Sequence, residues 1–135
     1  MRPNRSMPSS TVIPVLAYPD VAEAVAWLGA AFGFTLRIGI GDHRAQLNAG
    51  DGAIVVTGGA PADAPRGGDS VMLRVDDVPA HHARAEAAGA RILSAPADFP
   101  YGERQYTAVD HAGHVWTFSE SIADVDPRDW GGVPG

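Results

Sequence analysis

Five histidines and the carboxylates near them are the side chains here best suited to hold a metal or move a proton, since cysteine is absent. Without cysteine there is no disulfide framework and no thiolate nucleophile. His43, His111 and His114 fall at expected strand ends and turns. With Glu103 they offer an unorthodox divalent-metal site, although no regular ligand spacing joins them. Asp110-His111 reads either as a general base beside its orienting carboxylate or as a turn capped by Asp110. His81 and His82 lie on an expected helix. Val78, His82 and Ala85 share one stripe of it, so His82 reads as a partly buried core residue. The glycine-rich stretches 50–52 and 58–69 lack the Gly-Lys-Ser/Thr of a phosphate-binding loop.

Bulk properties narrow the classes. The chain has 135 residues, one domain's worth, and a formal charge of −6 from 16 acidic against 10 basic side chains. That charge disfavours non-specific binding to nucleic acid or anionic lipid. No run approaches the ~20 apolar residues of a membrane span. Met1 to Ser10 carries two arginines and no apolar run behind them, so it does not read as a secretory leader. The expectation is a cytoplasmic protein with no nucleic-acid or membrane partner, and a loose, Pro/Ser-rich start.

The positioning elements follow from pattern. Val12 to Tyr18 reads as a buried strand, with Pro14 marking an edge or strand end. Asp20 is a helix N-cap with Glu23 three residues on, Val21, Val25, Leu28 and Phe32 form an apolar stripe, and Gly33 ends the helix. Strands are expected at Phe34–Ile38, His43–Asn48 and Ala53–Thr57, followed by a Gly/Pro/Asp linker over 59–69. The order then repeats. Ser70–Val75 is a strand, Asp77 caps a helix running to Ala88, Gly89 stops it, and Arg91–Leu93, Arg104–Val109 and His114–Ser119 are strands. Pro19-Asp20-Val21 matches Asp76-Asp77-Val78, and Asp51-Gly52-Ala53-Ile54 matches Ala112-Gly113-His114-Val115. The implied fold is α+β: two tandem βαβββ modules, about 11–58 and 70–120, forming an open, curved mixed sheet around a cleft within a single domain over 1–135. In the tail, 121–135, Asp126-Pro127 starts a helical turn, and Trp130 docks on the body or on a second subunit.

Three stretches carry a family resemblance. VIPVLAYPDVAEAVAWLGAAFGF is similar to the first strand and helix of bleomycin-resistance-type proteins. VMLRVDDVPAHHARAEAAGARI resembles the start of their second module, and YGERQYTAVDHAGHVWTFSES their closing strands, with His111 where proline is usual. The chain thus resembles the vicinal-oxygen-chelate superfamily of glyoxalase I, bleomycin-resistance proteins and extradiol dioxygenases. The resemblance implies a divalent metal held by four residues, usually His and Glu, polarising two substrate oxygens. Carried over, those positions fall on Ile13, Val56, Ser70 and Thr117. Ile13 and Val56 cannot ligate, and Ser70 and Thr117 are poor ligands for zinc, nickel or iron.

If Ile13, Ser70 and Thr117 point into the cleft, strand alternation sends Val15, Ala17, Met72, Arg74, Val115 and Ser119 with them. Arg74 could then pair with a ligand carboxylate or phosphate, or else salt-bridge at the rim. Arg104 and Tyr106 stand where the family has Arg and an aromatic; they either maintain the fold or make a subunit contact, or join the expected ligand-binding set of Ile13, Val15, Val56, Ser70, Met72, Arg74 and Thr117. The resulting expectation is a metal-independent small-molecule binding protein without cofactor, sequestering a drug or metabolite. The alternative is a metal-dependent lyase, isomerase or dioxygenase with relocated ligands. The family also implies a homodimer.

Overall fold

A computed structural model describes residues 2–60 and 69–135. Most of the expected linker, 61–68, lies outside the described residues. Two compact units result, with the division after Arg66, and each carries a βαβββ module.

In the first unit, β1 (Val15–Ala17) leads to α1 (Val21–Phe32), then β2 (Thr35–Ile40), β3 (Arg44–Ala49) and β4 (Gly52–Thr57). The sheet order is β1-β4-β3-β2, with β1 parallel to β4 and the other pairs antiparallel. β1 is shorter than expected and lies at an edge. Proline cannot donate into a ladder, and Pro14 contributes only its carbonyl, accepting from Val55 N at 2.9 Å. Asp20 caps α1 by accepting from Glu23 N at 3.0 Å, and Gly33 ends it at φ 78°. Val21, Leu28 and Phe32 are buried with Leu47, Ile54 and Val56.

The second unit repeats the plan with β5 (Ser70–Arg74), α2 (Val78–Ala87), β6 (Arg91–Phe99), β7 (Glu103–Val109) and β8 (Val115–Ser121), ordered β5-β8-β7-β6. Asp77 caps α2 through Ala80 N, with Pro79 in the first turn. β6 runs well past the expected Leu93. It is an edge strand with two register irregularities, which is where a sheet accommodates a residue such as Pro96. The α+β reading of two tandem modules holds, but the eight described strands form two separately hydrogen-bonded, open, four-stranded sheets.

Each sheet has a helix face and an open face. In the second unit the His81 ring on α2 lies 4.1 Å from Phe118, so Phe118, Trp116, Ala108 and Tyr106 turn toward the helix and all are buried. The opposite parity, Met72, Arg74, Gln105, Thr107, Thr117 and Ser119, belongs to the open face. In the first unit the open face is covered by the chain's own start. Arg37 donates to Arg5 O and Met7 O at 2.9 and 3.0 Å, Gln46 Nε2 donates to Ser6 O at 2.9 Å, and Arg37 also bonds Gln46. The expected loose start is thus held by these bonds.

Candidate functional site

Parallel pairing sets Arg74 of β5 beside Ser119 of β8, and antiparallel pairing sets Ser119 beside Gln105 of β7. Period-two alternation then puts Met72 and Glu103 on the same face. These residues, with Tyr101 and Trp130, line a cavity of about 640 Å³. A directed hydrogen-bond chain crosses it. Tyr101 Oη donates to Gln105 Oε1 at 3.3 Å, Gln105 Nε2 donates to Ser119 Oγ at 3.0 Å, and Ser119 Oγ donates to Glu103 Oε1 at 2.7 Å. Hydrogen bonds from Ser121 and Ser119, aided by the positive charge of Arg74, hold the Glu103 carboxyl below its ordinary 4.5 despite slight desolvation. Glu103 therefore stays a carboxylate through neutral and mildly acid pH.

The tail supplies the far wall. After β8, Ile122 N and Ala123 N both donate to Gly102 O, at 2.8 and 3.2 Å, folding the chain back across the β6–β7 turn. A short 3-10 turn, Pro127–Trp130, is capped by Asp126, as the Asp-Pro pair suggested. It sets the Trp130 ring 5.3 Å from Tyr101, which stacks on Phe99 at 5.4 Å. An aromatic corner thus flanks a polar floor.

Several expected site residues lie elsewhere. Tyr106 is buried on the helix face, bonded to His81 Nδ1 and packed edge-on by His82, so it does not line the cavity. Desolvation pushes its hydroxyl far above the ordinary 10.0. The folded state therefore keeps a proton that the unfolded chain loses as pH rises past about 10, and this share of stability falls from there upward. Urea midpoints measured between pH 9 and 11.5 are expected to drop less steeply for Tyr106→Phe, which at neutral pH loses about 1 kcal/mol with its hydrogen bond.

Arg104 has the same parity as Tyr106 and ends in a fork on Asp98, at 2.6 and 3.2 Å. Its cross-strand neighbour Glu120 accepts from Val78 N at the start of α2, which marks this as the helix face too. Val56 is fully buried opposite Ala45, and the open-face residue of β4 is Val55, beside Val15. The slip has a simple cause. The β3–β4 hairpin turns in Gly50-Asp51, whereas β7–β8 needs residues 110–114, so aligning Gly52 with Gly113 shifts the register. Val15 and Ser70 are exposed on their strands, Ile13 lines a different cavity with the N-terminal segment, and Thr117 bonds Thr107 at 2.9 Å outside the pocket. Met72 and Arg74 are the members of the expected set that the pocket brings together. Gln105, Tyr101 and Trp130 were not singled out for it. The alternation on β7 was the available signal for Gln105, whereas the tail's return path left none for Trp130.

The donor chemistry for a metal does not fit. Val55 replaces Val56 at the corrected position and cannot ligate either, and among the described residues no three His, Asp or Glu side chains converge. Within the second unit, Glu103 opens β7 while His111 and His114 sit in the turn beyond its other end, so these three do not come together. Asp110 is a turn organiser. Its carboxylate accepts from Ala112 N, His114 N and Trp116 Nε1, each at 3.0 Å.

Known proteins agree with this architecture. The family described as the glyoxalase/bleomycin resistance protein/dioxygenase superfamily matches residues 11–118. TioX from Micromonospora sp. ML1 is 36% identical with a TM-score of 0.70, the match covering 87% of this chain and all of that one. A glyoxalase/bleomycin resistance protein from Streptomyces sp. CB03234 is 25% identical with a TM-score of 0.65, covering 82% of this chain and all of that one. Lactoylglutathione lyase from Agrobacterium tumefaciens shares the fold at 19% identity and a TM-score of 0.65, with coverage of 85% and 96%. No curated protein matches. Two βαβββ modules and a family match spanning most of the sequence place the chain in the glyoxalase/bleomycin resistance protein/dioxygenase superfamily.

Proposed function

We propose that this chain is a metal-independent small-molecule binding protein, and that the pocket on the second sheet holds the ligand. The pocket carries the reading. Its volume of about 640 Å³ suits a drug- or metabolite-sized molecule, and it pairs an aromatic corner with a few convergent polar groups. The positions carried over from the superfamily's metal site hold two side chains that cannot ligate and two that ligate poorly, which argues against a metal-polarised reaction. Sequestration in the cytoplasm, by a homodimer, completes the proposal.

Calorimetric titration with Ni²⁺, Zn²⁺, Fe²⁺ and Mn²⁺ tests it. No stoichiometric binding at micromolar metal is the expected result. One metal per chain at that level would overturn it in favour of a metal-dependent enzyme.

A further inference from the structure

The direction of the hydrogen-bond chain determines what a ligand must bring. Each hydroxyl has a single proton. Tyr101 gives its proton to Gln105, and Ser119 gives its own to Glu103. Gln105 turns its amide toward Ser119, with its carbonyl already engaged. The chain therefore ends on an acceptor, the Glu103 carboxylate, which retains lone pairs beyond those taken by Ser119 and Ser121. Across Ser119 stands Arg74, whose positive charge acts on Glu103 but whose guanidinium has no hydrogen-bonded partner among the described residues. A ligand must thus offer an acceptor to Arg74 and a donor to Glu103. A simple anion gains Arg74 but is repelled by Glu103, and a simple cation meets the reverse. A neutral group with both functions satisfies the two charges at the lowest desolvation cost, because a zwitterion must shed two hydration shells. The neighbouring surface is Tyr101, Trp130 and the Met72 thioether, all suited to a flat ring.

We propose that the pocket recognises aromatic carboxamides, with the ring against the Tyr101–Trp130 corner, the amide carbonyl on Arg74 and the amide N–H on Glu103. The assignment rests on the pocket being the ligand site. It names the class of molecule that the site selects.

Titrations of the full chain, followed through side-chain resonances of Tyr101 and Trp130, test it with benzamide, benzoate, benzylamine and phenylalanine. Benzamide is expected to bind with a Kd of roughly 1 mM, the scale for so small a probe, and the other three about tenfold more weakly. Arg74→Met should weaken benzamide about fivefold while improving benzylamine, and Glu103→Gln should improve benzoate, because each removes one repulsion. These opposite changes in preference are not what a merely structural role produces. Benzoate, benzylamine or phenylalanine binding more tightly than benzamide would overturn the carboxamide assignment. Unchanged preferences in both variants would overturn the roles of Arg74 and Glu103 while leaving the pocket intact. If no probe at 20 mM perturbs either ring, the pocket itself is not the ligand site, and both proposals fall.

Discussion

Asp110→Ala is expected to destabilise the chain by about 3–5 kcal/mol, a large part of a typical domain's stability. The carboxylate is buried and accepts from two backbone N–H groups and the indole of Trp116, itself fully buried. Alanine leaves those donors unmatched and opens the β7–β8 turn, where Asp110 N also donates to His114 O at 2.9 Å. Thermal melts should show a fall of roughly 10–20 °C. Asp110→Asn separates geometry from charge. Its carbonyl can keep the two backbone bonds, but its amide then points N–H toward the Trp116 N–H, so about half the loss is expected. An alanine variant melting within about 2 °C of the parent would show that the turn and Trp116 hold themselves in place.

Gly102→Ala is expected to strip the pocket of its tail wall. Gly102 has φ +84°, a region that costs a side-chain-bearing residue about 1–2 kcal/mol. An added Cβ would also lie 2.3 Å from Ala123 O and 3.0 Å from Val125 Cγ2, which requires the tail to shift. Since Ile122 and Ala123 hang from Gly102 O, that shift carries Trp130 away from Tyr101. Among the three indole N–H resonances, that of Trp130 should move toward its solvent-exposed position while those of Trp27 and Trp116 stay. Gly89→Ala provides the control, with φ +96° but nothing within 4 Å of the new Cβ. It should show the backbone strain alone, with Trp130 unmoved. Equal effects from both variants would mean that the tail is not pinned at Gly102.

Helix caps and turn glycines were legible from short-range chemistry. Asp20 and Asp77 bond the N–H groups three residues ahead, and Gly33 takes the left-handed conformation its position called for. These interactions are complete within a few residues, so local spacing reveals them. Alternation also placed Met72 and Arg74 correctly on the open face of β5, and Trp116 and Phe118 on the helix face, because a strand's parity is a local property.

What the sequence by itself determined is therefore the order of elements and the duplicated module, with poor or no ligands at the positions carried over from the superfamily. Only the tertiary structure decided how parity passes from one strand of a hairpin to the next where the two modules differ in turn length. Parity is carried from strand to strand by turn length, and the difference between the β3–β4 and β7–β8 turns shifted the matched position from Val56 to Val55. Tyr106 and Arg104 followed the same rule onto the helix face. The covering of the first sheet by Arg5 to Met7, and the arrival of Trp130 beside Tyr101, depend on contacts between residues 25 or more positions apart, for which no spacing exists to be read.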